Sequence, residues 1–308
     1  MKAICSVIIP CYNQAHFARE ALESLRAQTF HDWEAIVVDD ASVSGDVAAV
    51  VAQVDDPRLR VIRHPVNRGL SAARNTGFTD ARADLVLPLD ADDALEATFL
   101  EETIAVLQAH PQASCVYTDF QLFGDEDVVW RYSVRTPSDM LEQQWIPGSG
   151  TLMRKDVWAN VGGYLETLRQ GNEDWDFWLT AVQHRLVAMH IPKPLYRYRR
   201  TPTSMSVSSM LRTEHVSREI IYRRHRAFFD AHRAGGRFRA EGYARSVEGA
   251  RLDGRLLKSV WLGMRGLALA PRYRRLQIQL ALTLLPPPMI RLVSAARRAR
   301  LSAATGHR

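Results

Sequence analysis

The 308-residue chain has only three cysteines, Cys5, Cys11 and Cys115, which cannot form an all-paired disulfide framework. Cys5 and Cys11 flank one apolar run and no CxxC pair occurs, so all three read as reduced packing residues of a cytosolic protein. The ten histidines are scattered, and no His/Cys cluster has zinc-ligand spacing. No run of about 18 uninterrupted apolar residues occurs, which excludes an obvious membrane span. The opening "MKAICSVIIPCYN" is too short in its apolar stretch for a signal peptide and lacks a small-residue cleavage site. GxxxxGK[ST] is missing, and a phosphate-cradling P-loop with it. The first strand–helix connection, "PCYNQAHF", has no GxGxxG, which argues against a Rossmann dinucleotide site. "GSGTL" (148–152) falls short of G-x-S-x-G: Ser149 lies between glycines with no following helix, so it is declined as a nucleophile.

What remains is an apolar fraction of 46%, enough for a sizeable core in one α/β domain with an appendage or in two domains. Charge is uneven. Residues 200–308 hold 22 Lys and Arg against 6 Asp and Glu, a net +16, whereas residues 1–199 carry −10. An acidic front and a basic rear suggest two parts with different jobs. Buried-strand runs occur at "CSVIIP" (5–10), "WEAIVVDDAS" (33–42), "LRVIRH" (59–64), "DLVLPLDADD" (84–93) and "ASCVYTDF" (113–120). Helical spacing fills 15–30, 46–54, 70–81 and 97–110. Such alternation with short connections predicts βαβ units and a mostly parallel sheet flanked by helices. In such sheets ligands gather at the carboxyl ends of the strands. Residues 121–205 are less regular: "VVWRYSV" reads as a strand, 148–164 as a strand, a helix over 155–161 and a turn at Gly162–Gly163. An amphipathic helix over 172–184 and strands over 186–191 and 194–200 follow. Past 205 strand signals stop and Arg-rich helical segments take over.

Two acid clusters sit at strand ends. Asp39 and Asp40 follow "AIVV"; Asp90, Asp92 and Asp93 follow "LVLPL". A single acid there caps the next helix or sits in a turn, and Asp93 suits an N-cap. D-A-D-D differs, because one cap uses one carboxylate and the others stay close enough to repel. A divalent cation relieves that repulsion. Mg²⁺ or Mn²⁺ typically takes one or two protein carboxylates plus substrate phosphate oxygens, which makes this a candidate metal–diphosphate site.

Six motifs then occur in order: "SVIIPCYN", "QTFHDWEAIVVDDAS", "NRGLSAARNTG", "LPLDADD", "GSGTLMRKDVW…VGGY" and "NEDWDFWL". Through them residues 4–206 resemble family 2 glycosyltransferases, which have the α/β GT-A fold. The resemblance implies a nucleotide diphosphate sugar donor, with Pro10, Tyr12, Asn13 and Asp40 shaping its nucleobase and ribose pocket and Arg74 and Asn75 lying over it. Asp90-Ala91-Asp92 is similar to the family's DXD motif: Asp92 is the expected ligand of Mn²⁺ or Mg²⁺, Asp90 a ribose or supporting metal contact, and Asp93 a supplement to either. Glu173-Asp174 matches the ED motif, with Asp174 the implied general base. Asp174 would stand in the first turn of its helix, where the macrodipole favours a carboxylate. Simple capping, helped by Asn172, is the plainer use of the same acid. The implied chemistry is one in-line displacement that inverts the anomeric centre. Thr201 stands where many members carry a His, so Arg199 or Arg200 is the candidate to neutralise phosphate instead. QxxRW is missing, which favours a single-transfer enzyme over a polymerase.

The expected organisation is a GT-A catalytic domain over 1–205, with a nucleotide-sugar-binding half (1–120) and an acceptor half (121–205), and a basic α-helical extension over 206–308. The acceptor expected is a glycan or a lipid-linked glycan. Within 256–301, Pro271 and Pro286–Pro288 separate helices, and Leu256, Leu257, Val260, Trp261, Met264 and Leu267 line one helical face. Such faces pack on the catalytic domain, pair with a second copy in a homodimer, or lie in the interface of an anionic membrane. The last suits a lipid-linked acceptor and a peripheral position on the inner face of the cell membrane. Nucleic-acid binding needs aromatics interleaved with the cations, and few are present. Two rival readings are a nucleotidyltransferase, which needs a Gly-rich, Lys-containing triphosphate loop absent from "PCYNQAHF", and a non-catalytic sugar-nucleotide-binding protein, in which the acids would be lost.

Overall fold

All seven residues of β1 (Cys5–Cys11) are buried, as are all seven of β2 (Trp33–Asp39). Strands with no wet face belong at the centre of a sheet covered on both sides. β1 pairs in parallel with β2 and with β4 (Leu85–Pro88), and β2 with β3 (Leu59–Arg63). Pro10 lies inside β1 without breaking it. The β1–β4 register ends at Ile8↔Pro88, so the missing Pro10 N–H falls where no ladder partner waits. The computed structural model describes residues 3–169, 171–201 and 210–285 and divides into two compact units, Met1–Ser204 and Met205–Arg308.

In the first unit, α1 (Ala15–Arg26) buries Ala18, Ala21, Leu22 and Leu25, one helical face. α2 (Val47–Val54) starts at Asp46, whose carboxylate accepts from Ala49 N. α3 (Leu70–Asp80) lies directly on β1: a Cβ at Gly77 would stand 2.4 Å from Ile8 Cγ2, so only glycine permits this approach. α4 (Phe99–Ala109) follows β5 (Ala94–Leu95). β6 (Cys115–Gly124), β7 (Val128–Trp130), β8 (Thr151–Arg154), α5 (Lys155–Val161), α6 (Glu173–Gln183) and β9 (Ala188–Arg200) complete the unit.

The sheet runs β3-β2-β1-β4-β8-β6-β9-β5, with β7 beside β6. Most of its paired positions are parallel, as expected, and antiparallel pairings enter in its second half. β4–β8, β6–β8, β6–β7 and β5–β9 are antiparallel, and β6–β9 is parallel. Parallel partners need a crossover of a dozen residues or more, which the first half supplies with helices. The β6–β7 link spans only 125–127, room for a hairpin alone. The strands expected over 186–191 and 194–200 are one strand. Pro192 and Pro194 are absorbed by register shifts opposite Thr118–Phe120, where bulges tolerate the missing donors.

The second unit is helical: α7 (Met210–Arg224), α8 (Arg226–Ala231), α9 (Gly235–Leu252), α10 (Leu256–Leu269) and α11 (Arg274–Thr283). Tyr243, Ala244, Val247, Leu262 and Leu276 form its core. Pro286–Pro288 lie outside the described residues. Among the described residues no helix is long and apolar enough to cross a membrane. All three cysteines are free and buried; burial raises the Cys5 and Cys115 thiols and pushes Cys11 up to about 11.

Candidate active site

The chain leaves β1 through Tyr12, Asn13 and Gln14. Asn13 takes a left-handed φ of 57°. Its N–H donates to Ser42 Oγ at 2.9 Å, and its Oδ1 accepts from Val43 and Ser44 N–H, which clamps the loops after β1 and β2 together. Tyr12 is 45% exposed beside this clamp. Asp40 is buried and accepts from Arg68 N, Gly69 N and His64 Nδ1 at 2.9, 2.7 and 2.6 Å. The end of β2 is thereby tied to the loop that enters α3.

Beyond β4, residues 90–93 fold as a turn closed by Asp93 N donating to Asp90 O at 3.0 Å. Ser149 Oγ accepts from Asp90 N and donates to Pro88 O, so the once-declined serine braces the acid turn. Asp93 is neither an N-cap nor a supplement to a metal or ribose contact: it points inward, accepting from Tyr196 Oη at 2.6 Å and Arg199 N at 2.8 Å of β9. Burial, then the charges of Asp90 and Asp92, hold its carboxyl well above the usual range. Asp92 stays partly open. Burial and the neighbouring Asp90 carboxylate push it up to about 6.

Arg74 joins this turn to α6. Its guanidinium, 3% exposed, donates to Asp90 Oδ1 at 2.9 Å and to Glu173 Oε1 at 2.7 Å. Burial opposes its charge, but the two carboxylates more than offset that. Glu173 is pushed up to about 7 by burial and by Asp174, against the pull of Arg74. Asp174 Oδ2 accepts from Gln144 Nε2 at 2.8 Å, and its Oδ1 from Trp175 N. A Cβ on Gly148 would lie 2.2 Å from Asp174 Oδ2, so that glycine makes the space the carboxylate occupies. Asn172 holds the N-cap position of α6, at a φ of 66°, without a side-chain cap bond.

Two expected ligand contacts are corrected. Asn75 uses all four hydrogen-bonding positions of its amide internally. Nδ2 donates to Tyr164 O and Glu166 Oε1, and Oδ1 accepts from Trp158 Nε1 and Tyr164 N. It is a tether for the segment after α5, with nothing left for a donor. The Arg199 guanidinium donates to Asp92 O at 2.8 Å, pairs with Glu20 and lies over Phe17 and Phe123. It supports the acid turn from behind rather than offering itself to phosphate. Arg200 pairs with Glu126 at 3.4 Å.

Gln144, Gly148, Ser149 and Tyr196 escaped the sequence reading as site residues. The G-S-G spacing was the available signal for two of them. Gln144 also adjoins a chain of aromatic contacts that runs from buried Trp145 and Tyr117 to exposed Trp130. Its neighbour Trp145 meets Tyr117 at 6.3 Å between centroids, Tyr117 meets Tyr132 at 6.0 Å, and Trp130 stacks on Tyr132 at 5.9 Å.

Among the described residues no three His, Cys, Asp or Glu side chains converge as a complete metal cage. The acid turn nonetheless fits a hard divalent ion. It presents oxygen ligands only, and Asp92, partly open, is raised by burial and by the adjacent Asp90 carboxylate.

A mixed α/β sheet flanked by helices, with an acid turn and an acid helix start joined by one arginine, defines a GT-A transferase. The chain belongs to glycosyl transferase family 2, whose model matches residues 6–169. It is 28% identical over 129 residues to the UDP-Glc:alpha-D-GlcNAc-diphosphoundecaprenol beta-1,3-glucosyltransferase WfgD of Escherichia coli, covering 42% of this chain and 50% of that one. It spans 23% and 16% of the length of two other curated relatives. Its fold is like that of Staphylococcus aureus TarS in complex with UDP-GlcNAc, with a TM-score of 0.66, 20% identity, and coverage of 88% of this chain and 82% of that one. It is also like the Pyrobaculum calidifontis mannosyltransferase PcManGT in complex with GDP-Man and Mn²⁺, with a TM-score of 0.55, 18% identity, and coverage of 98% and 81%.

Proposed function

We propose that this glycosyltransferase is inverting and metal-dependent, moving a sugar from a nucleotide diphosphate donor to a hydroxyl of a glycan or lipid-linked acceptor in cell-surface glycan assembly. The observation that carries the reading is Arg74, a buried guanidinium held by Asp90 on one side and Glu173 on the other. The acid turn and the acid helix are thereby two walls of one site.

Tyr12 meets the nucleoside, Pro10 and Asn13 set its turn, and Asp40 braces the adjoining loop. Asp92, helped by Asp90, would hold Mn²⁺ or Mg²⁺, which supplies Lewis-acid stabilisation of the diphosphate charge when bound. Asp174 takes the proton of the acceptor hydroxyl as that oxygen attacks the anomeric carbon. The bond from anomeric carbon to diphosphate oxygen breaks in the same displacement, its electron pair leaving with the nucleoside diphosphate. Trp130 and Tyr132 offer the acceptor ring an aromatic face, whose negative quadrupole suits the C–H side of a pyranose. The sugar nucleotides held by TarS and PcManGT support the donor class, and the diphosphoundecaprenol acceptor in the WfgD name supports a lipid-linked acceptor. Such an acceptor would place the enzyme at the inner face of the membrane.

The test is donor-dependent release of nucleoside diphosphate with Mn²⁺ present. Asp92→Ala abolishes it, and Asp174→Asn lowers kcat by about 10²–10⁴-fold while donor affinity holds. Full turnover in either variant would overturn the assignment. A nucleotidyltransferase or a pure binding protein would release no nucleoside diphosphate at all.

A further inference from the structure

Helix α10 buries its small side and exposes its apolar one. Ser259, Leu262, Gly263 and Gly266 face inward, and Leu276 packs where a Cβ on Gly266 would stand 2.5 Å away. Leu257, Trp261 and Met264, at positions i, i+4 and i+7, form a stripe on the opposite face and are 89%, 51% and 65% exposed. Leu256 borders the stripe and is also exposed. Val260 and Leu267, expected on this same face, are half-buried at its edge. Soluble surfaces rarely leave a contiguous apolar strip to water without using it.

Charge says what the strip meets. Lys258 and Arg265 are seven residues apart, so both lie along one flank of it, and both are exposed. The Arg265 guanidinium sits 4.9 Å from the Trp261 ring centroid. No acid occurs in α10. Residues 200–308 carry a net +16.

We propose that this face of α10 docks on an anionic lipid bilayer. Leu257, Trp261 and Met264 sit at the acyl boundary, with Lys258 and Arg265 among the headgroup phosphates. A 14-residue helix is about 21 Å long, short of the ~30 Å hydrocarbon core, so it lies on the membrane and does not cross it. A second copy is the poorer occupant. An antiparallel two-fold pairing of this face would set Lys258 and Arg265 of one helix on the same flank as Arg265 and Lys258 of the other. The inference does not rest on the donor chemistry, and its test is read without turnover.

The full chain is co-sedimented with phosphatidylcholine vesicles, with and without phosphatidylglycerol. It is expected to pellet only with the anionic vesicles, with salt reducing the bound fraction. Leu257→Ser/Trp261→Ser lowers partitioning roughly tenfold or more, and Lys258→Glu/Arg265→Glu removes the salt-sensitive part. All four positions are at the surface, so circular dichroism of both variants matches the parent. Failure to pellet with anionic vesicles, or equal pelleting with phosphatidylcholine alone, overturns the proposal. So does a dimer that binds no vesicle and falls apart in Leu257→Ser/Trp261→Ser.

Discussion

Glu173 is the acid whose charge the site sets most finely. Its folded-state pKa of about 7 lies above that of an unfolded glutamate, about 4.3. Between those values the native protein binds a proton that the unfolded chain does not. By linkage this group's contribution to stability falls as pH rises from about 4.3 through about 7. Glu173→Gln removes that slope. Melting temperatures of parent and variant should therefore converge on acidification and separate above pH 7, with the variant the more stable by this contribution alone; parallel curves would refute it. Gly148 offers a geometric test at the same scale. Gly148→Ala drives a methyl into the space of Asp174 Oδ2. A displaced base costs about 10²-fold in kcat, with donor affinity held, as steady-state kinetics would read.

The elements around the acids work as braces. β9 holds the 90–93 turn through Tyr196 and Arg199, and α3 holds the segment after α5 through Asn75. Asn75→Ala leaves the Trp158 indole and the Tyr164 amide unpaired, about 1–3 kcal/mol. That shifts Tm downward by about 2–4 °C per kcal/mol, while donor affinity measured by calorimetry stays put. A donor contact would give the opposite pattern. The alternation of apolar runs and amphipathic stretches made the first four strands and their helices legible, since period alone separates them. The antiparallel pairings were not, because a strand run carries no mark of its partner's direction. The ED and DXD acids were legible as motifs. That Arg74 touches both was not, since the contact joins residues 99 positions apart. Asn75 misled for a related reason: a motif shows that a residue matters without showing whether it faces a ligand or its own chain.

At the scale of the molecule, the site lies within the unit Met1–Ser204, where a sugar nucleotide with Mn²⁺ should act as a folding ligand. At a hundred times Kd it contributes about 2.7 kcal/mol, read as a rise in Tm by scanning calorimetry. Excess EDTA should cancel the rise, and Asp92→Ala should never show it. The cysteines have a practical consequence. Each is buried, and burial lifts each thiol away from the reactive thiolate form. A maleimide therefore finds nothing to modify on the folded chain. A dye or spin label can be attached at one chosen place, such as Leu257→Cys on the exposed stripe, with all three native cysteines left in position.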